Sequence, residues 1–258
     1  MASVKDVFEF IDSIAPFDTQ QQWDNSGFLV GDIDKIVKKI GVVLDITPET
    51  IDLAAMHEVD LIVSHHPVIF KPQKSFTKNN AAYQLAVKGI NAICAHTSLD
   101  SADGGVNDVL AQLLGLRRVE PFYADENETP LLRVGFVNEM NAKTLAKTVA
   151  NALGHENYAV KYCDGGKPIE TVAVCGGAGD SFIEDIVQAD IDAYVTGEAG
   201  YHDMLYACES GLTLIVAGHF ETENPIVRVL AQKLDLQFED IQTVIIPQKP
   251  SIKYLTVE

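Results

Sequence analysis

The sequence predicts an α/β protein with mainly parallel sheets flanked by helices, and strand C-terminal ends that carry the candidate functional residues. Short apolar runs of strand length alternate with segments of helical period, the pattern of βαβ units. Several of these runs end in polar or histidine-bearing turns, at His65, Asp100, Thr196 and His219. The most informative run is Asp60-Leu61-Ile62-Val63, which leads into Ser64-His65-His66-Pro67. Pro67 cannot continue a central strand, so both histidines fall at a strand C-terminus, where open α/β sheets bind ligands. Neighbouring strand side chains point to opposite faces. Adjacent histidines therefore need a turn to share one metal, or serve two metals, or are solvated imidazoles at a capped strand end.

The elements follow in chain order. Val4 to Ile14 repeats apolar residues at helical spacing, and Pro16 ends it. The stretch Trp23-Asp24-Asn25-Ser26-Gly27 holds the only tryptophan; it either covers the core edge beside a turn or forms a rim of the site. Phe28 to Val30 is apolar, Ile40 to Leu44 is a strand, and Pro48 to Glu58 is a helix with an early proline. The strand into His65 comes next, then a helix over Ala81 to Lys88. A strand over Ile93 to Ala95 leads to His96-Thr97-Ser98-Leu99-Asp100, and a helix covers Gly104 to Leu116. The pattern breaks into an acidic connection from Pro121 to Thr129. Beyond it come a strand from Leu131 to Val137, a helix from Ala142 to Leu153, and strands at Ala159 to Tyr162 and Thr171 to Cys175. A helix starts at Phe182, a strand covers Ala193 to Thr196, a helix Gly200 to Cys208, and a strand Leu212 to Val216. A helix from Pro225 to Leu234 and strands at Thr243 to Ile246 and Lys253 to Val257 close the chain. The break divides the chain into an N-terminal lobe, 1–124, completed by about 211–258, and a second lobe, 125–210.

Composition sets the class. The 258 residues are 47% hydrophobic and 22% charged, a globular balance. With 37 acidic and 19 basic residues the net charge is -18. That disfavours nucleic acid, which is held through Lys and Arg contacts to phosphate, and favours metal cations. Lys38-Lys39 and Arg117-Arg118 read as solvated turns or helix ends. Lys5, Asp6 and Glu9 interrupt any signal-peptide core, and no apolar run approaches the ~20 residues that span a bilayer. Cys94, Cys163, Cys175 and Cys208 are far apart, without CxxC spacing. They suggest core residues in a reducing, cytoplasmic setting.

Four strand ends offer metal-ligand side chains: His65 and His66, His96 and Asp100, Glu198 and His202, His219 and Glu223. Any one pair reads first as a surface histidine beside a solvated carboxylate; all of them together point to a site. Histidines with carboxylates suit Zn, Fe, Mn or Co rather than calcium. The set is too large for one catalytic zinc with an open position; two metals ~3.5–4 Å apart could use most of it. His219 and Glu223 would share a face if helical, but Pro225 points to a loop there. Asp100 to Gly104 reads as a strand-to-helix turn, not a calcium loop. Gly176-Gly177-Ala178-Gly179 reads as a tight turn more than a phosphate cradle, lacking GxGxxG spacing and a P-loop lysine.

Together these stretches resemble the Ngg-interacting-factor-three-like family of dinuclear metal proteins, whose bacterial members are often named GTP cyclohydrolase 1 type 2 homologs. The matching residues are Trp23-Asp24-Asn25-x-Gly27, Ser64-His65-His66-Pro67, His96-Thr97-x-Leu99-Asp100, Thr196-Gly197-Glu198, and Gly218-His219 with Glu223. The resemblance implies metal ligands at His65, His66, Asp100, His219 and Glu223, two divalent transition-metal ions per subunit, and nearby roles for His96 and His202. Either of those two is the candidate proton shuttle, because imidazole as a residue type exchanges protons near neutral pH. It further implies two α/β lobes with the metal site at the strand C-terminal ends between the lobes, and a ring-shaped homo-hexamer. Trp23, Phe28, Tyr201, Tyr206 and Phe220 either pack in the monomer core, the reading composition favours, or offer apolar surface for such a ring. The reaction implied is hydrolysis by metal-activated water, opening the ring of a purine nucleotide or related small molecule. A non-catalytic metal-binding or regulatory scaffold is the alternative. Lys and Arg are sparse near the motifs, so no triphosphate clamp is evident.

Overall fold

The computed structural model describes residues 2–123, 129–154, 160–250 and 252. The chain opens with α1 (Val4–Ile14), whose first turn is closed by a reciprocal cap. The Asp6 amide donates to the Ser3 hydroxyl at 3.3 Å, and the Ser3 amide donates to the Asp6 carboxylate at 2.6 Å. Val4, Val7 and Ile11, on one stripe, are buried. There follow β1 (Gly27–Val30), β2 (Lys39–Val43), α2 (Pro48–Met56), β3 (Leu61–Ser64), α3 (Ala81–Lys88), β4 (Asn91–Cys94) and α4 (Thr97–Ser101). Thr47 caps α2, and Pro48 supplies its first turn, where the missing N–H costs nothing.

Next come α5 (Val106–Leu113), β5 (Arg117–Phe122), β6 (Leu132–Met140), α6 (Ala142–Ala152), β7 (Lys161–Cys163), β8 (Ile169–Ala178), α7 (Ile183–Gln188), β9 (Ala193–Glu198), α8 (Tyr201–Glu209), β10 (Thr213–Val216) and α9 (His219–Glu223). The chain then runs through α10 (Pro225–Gln237) to β11 (Gln242–Ile245). Ala159 and the expected strand at Lys253 to Val257 lie outside the described residues.

The chain forms two compact units, Met1–Asp103 with Ile226–Lys249, and Gly104–Pro225 with Pro250–Glu258. The division thus falls at 103/104 rather than at the acidic connection. The return to the first unit begins at Ile226, so β10 and α9 belong to the second. The physical reason is strand pairing: β10 is hydrogen-bonded to β9 and β7, and β5 to β6, all in the second unit.

In the first unit the strand order is β1-β4-β3-β2-β11. Only β1 is antiparallel to its neighbour; β4, β3, β2 and β11 pair in parallel. All four residues of β3 and all four of β4 are buried, as befits strands covered on both faces. Ile51, Ala54, Ile62, Leu85 and Ile246 form part of the core on one face. The second unit has the order β5-β6-β8-β9-β10-β7. Here β8, β9 and β10 run parallel, while β5, β6 and β7 add antiparallel pairings. Val172, Val174, Val195 and Ile215 face one core, and Ala173, Cys175, Tyr194 and Leu214 the other; alternation along each strand supplies both.

Arg117-Arg118, expected in a turn or helix end, opens edge strand β5. Arg118 takes φ 51°, and the register shifts between Arg117 and Glu120. A bulged, charged edge strand resists pairing with another sheet. The glycine run also differs from expectation. Gly176 to Ala178 extends β8, with a register shift between Cys175 and Ala178 in place of a tight turn. Among the described residues no helix is long and apolar enough to cross a membrane.

Candidate metal sites

In the first unit, β2, β3 and β4 are adjacent and parallel, and Ser64 is in register with both Val43 and Cys94. Their C-termini therefore lie side by side. Asp45 follows β2, His65 and His66 follow β3, and His96 follows β4. Register, not sequence proximity, brings them together. The ring centroids of His65 and His66 are 5.0 Å apart, those of His65 and His96 5.2 Å, and those of His66 and His96 5.5 Å. One ring nitrogen from each of the three lies within 4.8 Å of the others. Asp100, expected in a turn, lies in α4 instead. The helix starts because His96 leaves extended geometry, and its carbonyl accepts from the amides of Leu99 at 2.8 Å and Asp100 at 3.1 Å. That turn holds the Asp100 carboxylate 3.5 Å from His65 Nε2.

Each of these imidazoles is oriented through Nδ1. His65 Nδ1 is 2.9 Å from the carbonyl oxygen of Ala95, which can only accept, so Nδ1 carries a proton and Nε2 is the atom turned toward Asp100. His66 Nδ1 donates to the Asp45 carboxylate at 2.7 Å, and His96 Nδ1 to the Asp24 carboxylate at 2.7 Å. Acceptors behind the ring fix tautomer and direction, as they do for metal-binding histidines. Asp24 also accepts from the Thr97 amide at 3.0 Å and the Thr97 hydroxyl at 2.5 Å. Burial pushes its carboxyl up, but the hydrogen bond and charge of His96, with Thr97 and the Asn25 amide, outweigh it and hold it well below the usual range. Cys94 donates to the His65 carbonyl, and burial pushes its thiol well up, so it is a packing residue.

In the second unit, His219 opens α9 and Glu223 follows one turn later, so both share a face. Pro225 does not prevent this, because α9 ends before it and Pro225 starts α10. His219 Nδ1 lies 2.9 Å from Glu198 Oε1, and Nε2 lies 3.0 Å from Glu223 Oε2. A neutral imidazole has one N–H only. Carboxyl groups on both nitrogens are thus matched by a doubly protonated ring, by a protonated carboxyl, or by a cation on one side.

The glycine run makes room for this pair. A Cβ on Gly177 would stand 3.2 Å from His219 Nε2 and collide with Glu223 Oε1, and one on Gly176 would meet Glu223 Cγ at 3.1 Å. Gly177 also has φ 64°, a left-handed conformation that other residues seldom adopt. The Gly177 amide donates to Thr222 at 3.1 Å, tying the strand end to α9. Below the pair, an open cleft of about 770 Å³ is lined by Ala178, Asp180, Glu198, Val216 and His219, among others.

Sequence reasoning paired Glu198 with His202; the structure pairs Glu198 with His219. His202 is exposed on α8, its ring 5.3 Å from that of Tyr201, and it joins no donor group among the described residues. His96 groups with His65 and His66 as a donor. Asp45 escaped the sequence reading, although its place after the Ile40 to Leu44 run was the available signal.

Comparisons with known proteins agree with this architecture. A GTP cyclohydrolase 1 type 2 homolog of Clostridium acetobutylicum is 31% identical over 239 residues, covering 90% of this chain and 89% of the relative. A Staphylococcus aureus hypothetical protein of known structure has a TM-score of 0.87 at 25% identity, covering 98% of this chain and 99% of that one. A Bacillus cereus protein related to NIF3 has a TM-score of 0.87 at 21% identity, covering 100% and 99%, a likeness of fold alone. The model of the Duf34/NIF3 (NGG1p interacting factor 3) family matches residues 2–251, and this chain belongs to that family.

Proposed function

We propose that the protein holds two divalent transition-metal ions, Zn, Fe, Mn or Co, and is a metal-dependent hydrolase. The observation that carries this reading is the common orientation of the imidazoles: Nδ1 of His65, His66 and His96 is occupied from behind, leaving Nε2 as the donor. In the reading, His65, His66 and Asp100 serve as ligands from the first unit, and His219 and Glu223 from the second. The donor chemistry fits borderline cations better than calcium or magnesium. When bound, such ions lower the pKa of water toward ~7 and supply a nucleophile at neutral pH.

The chain's own residues would do the rest. Asp24 and Asp45 hold imidazoles in one tautomer, and His96, with Nδ1 fixed, could pass a proton at Nε2. The relatives' name points to a purine nucleotide as substrate, whose imidazole ring is opened by water with release of formate. The chain is also proposed to assemble as a homo-oligomer; light scattering should return a mass several times 28.1 kDa, and a monomer mass rejects assembly.

Elemental analysis after reconstitution tests the metals, with close to two ions per chain expected and near zero overturning the reading. Asp100→Ala and Glu223→Ala should each lose metal. Formate release from GTP by loaded protein tests the chemistry. Two bound metals with no turnover of GTP, other nucleotides, phosphoesters or cyclic amides would favour the scaffold.

A further inference from the structure

The loop that carries Asp24 also presents the only tryptophan, and it presents it to solvent. Trp23 is 58% exposed and Phe70 44% exposed, yet their ring centroids are 5.8 Å apart. Both border the His96 ring, Trp23 at 5.9 Å and Phe70 at 6.1 Å. Large aromatic rings left in water beside an oriented donor set need a reason, since their burial would stabilise the fold.

The arrangement is held in place. Asn25 Nδ2 donates to the Ile69 carbonyl at 2.5 Å, joining the two loops next to the aromatic residues. The Gln21 amide donates to Thr97 at 2.9 Å, the Ser26 amide to Gln20 at 2.7 Å, and the His96 amide to Ser26 at 3.0 Å. Trp23 thus stands on a braced loop.

Charge adds an independent observation. The chain carries -18 overall, yet from Leu61 to Leu99 it has no Asp or Glu. The same stretch holds Lys71, Lys74, Lys78 and Lys88, and the first three lie on the exposed segment directly after Phe70. This acid-free stretch puts exposed lysines next to Phe70 in sequence, where the motifs themselves have few.

We infer that the Trp23–Phe70 face takes the ring of a purine nucleotide by stacking, with its phosphates toward Lys71 and Lys74. Stacking suits any planar base, and the lysines select for the anion. The choice of a purine rests on the hydrolase reading above; the stacking and charge arguments do not.

The single tryptophan makes the test direct. Full-length protein, metal-loaded and chelator-treated in parallel, is titrated with guanosine, GMP and GTP while Trp23 emission is followed with excitation at 295 nm, chosen to limit absorption by the base. Saturable quenching is expected, with GMP and GTP tighter than guanosine and the difference shrinking as salt rises. Phe70→Ala should weaken binding about tenfold, and Lys71→Ala with Lys74→Ala should remove the advantage of GMP over guanosine. Metal content should stay unchanged in these exposed-site variants, and Phe70→Leu controls for loss of folding. No saturable quenching in either metal state overturns the proposal while leaving metal binding intact. Emission that shifts with protein concentration alone, without nucleotide, overturns it too, because a second copy then covers the face. Nucleotide binding in protein that takes up no metal leaves the proposal standing and sinks the hydrolase reading instead.

Discussion

The two donor sets solve one problem in different ways. In the first unit the candidate donors His65, His66 and His96 follow two neighbouring parallel strands, β3 and β4, and each imidazole is turned by an acceptor behind it, a carbonyl or an aspartate. In the second unit the candidate donors sit on a five-residue helix, and space for them is cleared by glycine on the facing strand end. Both sets have partners at Nδ1, Glu198 in the case of His219, but only the second also depends on space left by missing side chains. Their failure modes should therefore differ.

The largest effect is expected where space is the device. Gly177→Ala places a methyl group against His219 and Glu223 and forces a left-handed backbone on alanine, at about 1–2 kcal/mol for the backbone alone. Gly166 has φ 76° with nothing within 4 Å of an added Cβ, so Gly166→Ala measures that backbone cost by itself. Thermal unfolding of the two variants, with metal content, should show Gly177→Ala the less stable and depleted in metal. Equal losses would mean that the glycine serves conformation only.

A smaller effect is expected where hydrogen bonds are the device. Asp45→Asn keeps the shape but can offer His66 only an amide oxygen or a donor. Loss of an outer partner typically costs 10–100-fold in metal affinity, and competition with a chromogenic chelator should find a loss of about tenfold with folding unchanged. Unaltered affinity would show that the strand-end geometry alone orients His66.

The smallest effect concerns Asp192, which lies outside both sets. Burial pushes its carboxyl up, but the amides of Thr171 and Glu170, the Thr171 hydroxyl and Lys167 outweigh it, so its pKa is lowered. Folding therefore favours the ionised form. That contribution is complete above the unfolded value near pH 4 and is lost as pH falls through the lower folded value. Asp192→Asn should flatten the acid limb of the stability curve below about pH 4 and leave metal content unchanged. An acid limb as steep as in the parent protein would assign acid sensitivity to other carboxylates.

Much of the first unit was legible in sequence. The α1 boundaries, the proline start of α2, and the arrest of β3 before Pro67 rest on local rules of capping, proline geometry and apolar period. The Ser64 to Pro67 motif marked the site for the same reason: it is a strand end written in adjacent residues. The second unit was harder to read. Arg117-Arg118 looked solvated because an edge strand tolerates charge, and Pro225 looked like a helix breaker because nothing local says that one helix ends and another begins there.

The sequence by itself determined the donor inventory, the acidic charge with its one acid-free stretch, and which segments end at strand C-termini. Tertiary structure decided which donors meet. Asp45, His65 and His96 lie 20 or more positions apart and become neighbours only through parallel register, and Gly177 acquires its meaning only from α9 packed against β8. Register and close approach are long-range properties: they arise from pairing and packing across the sheet, which local propensity does not encode.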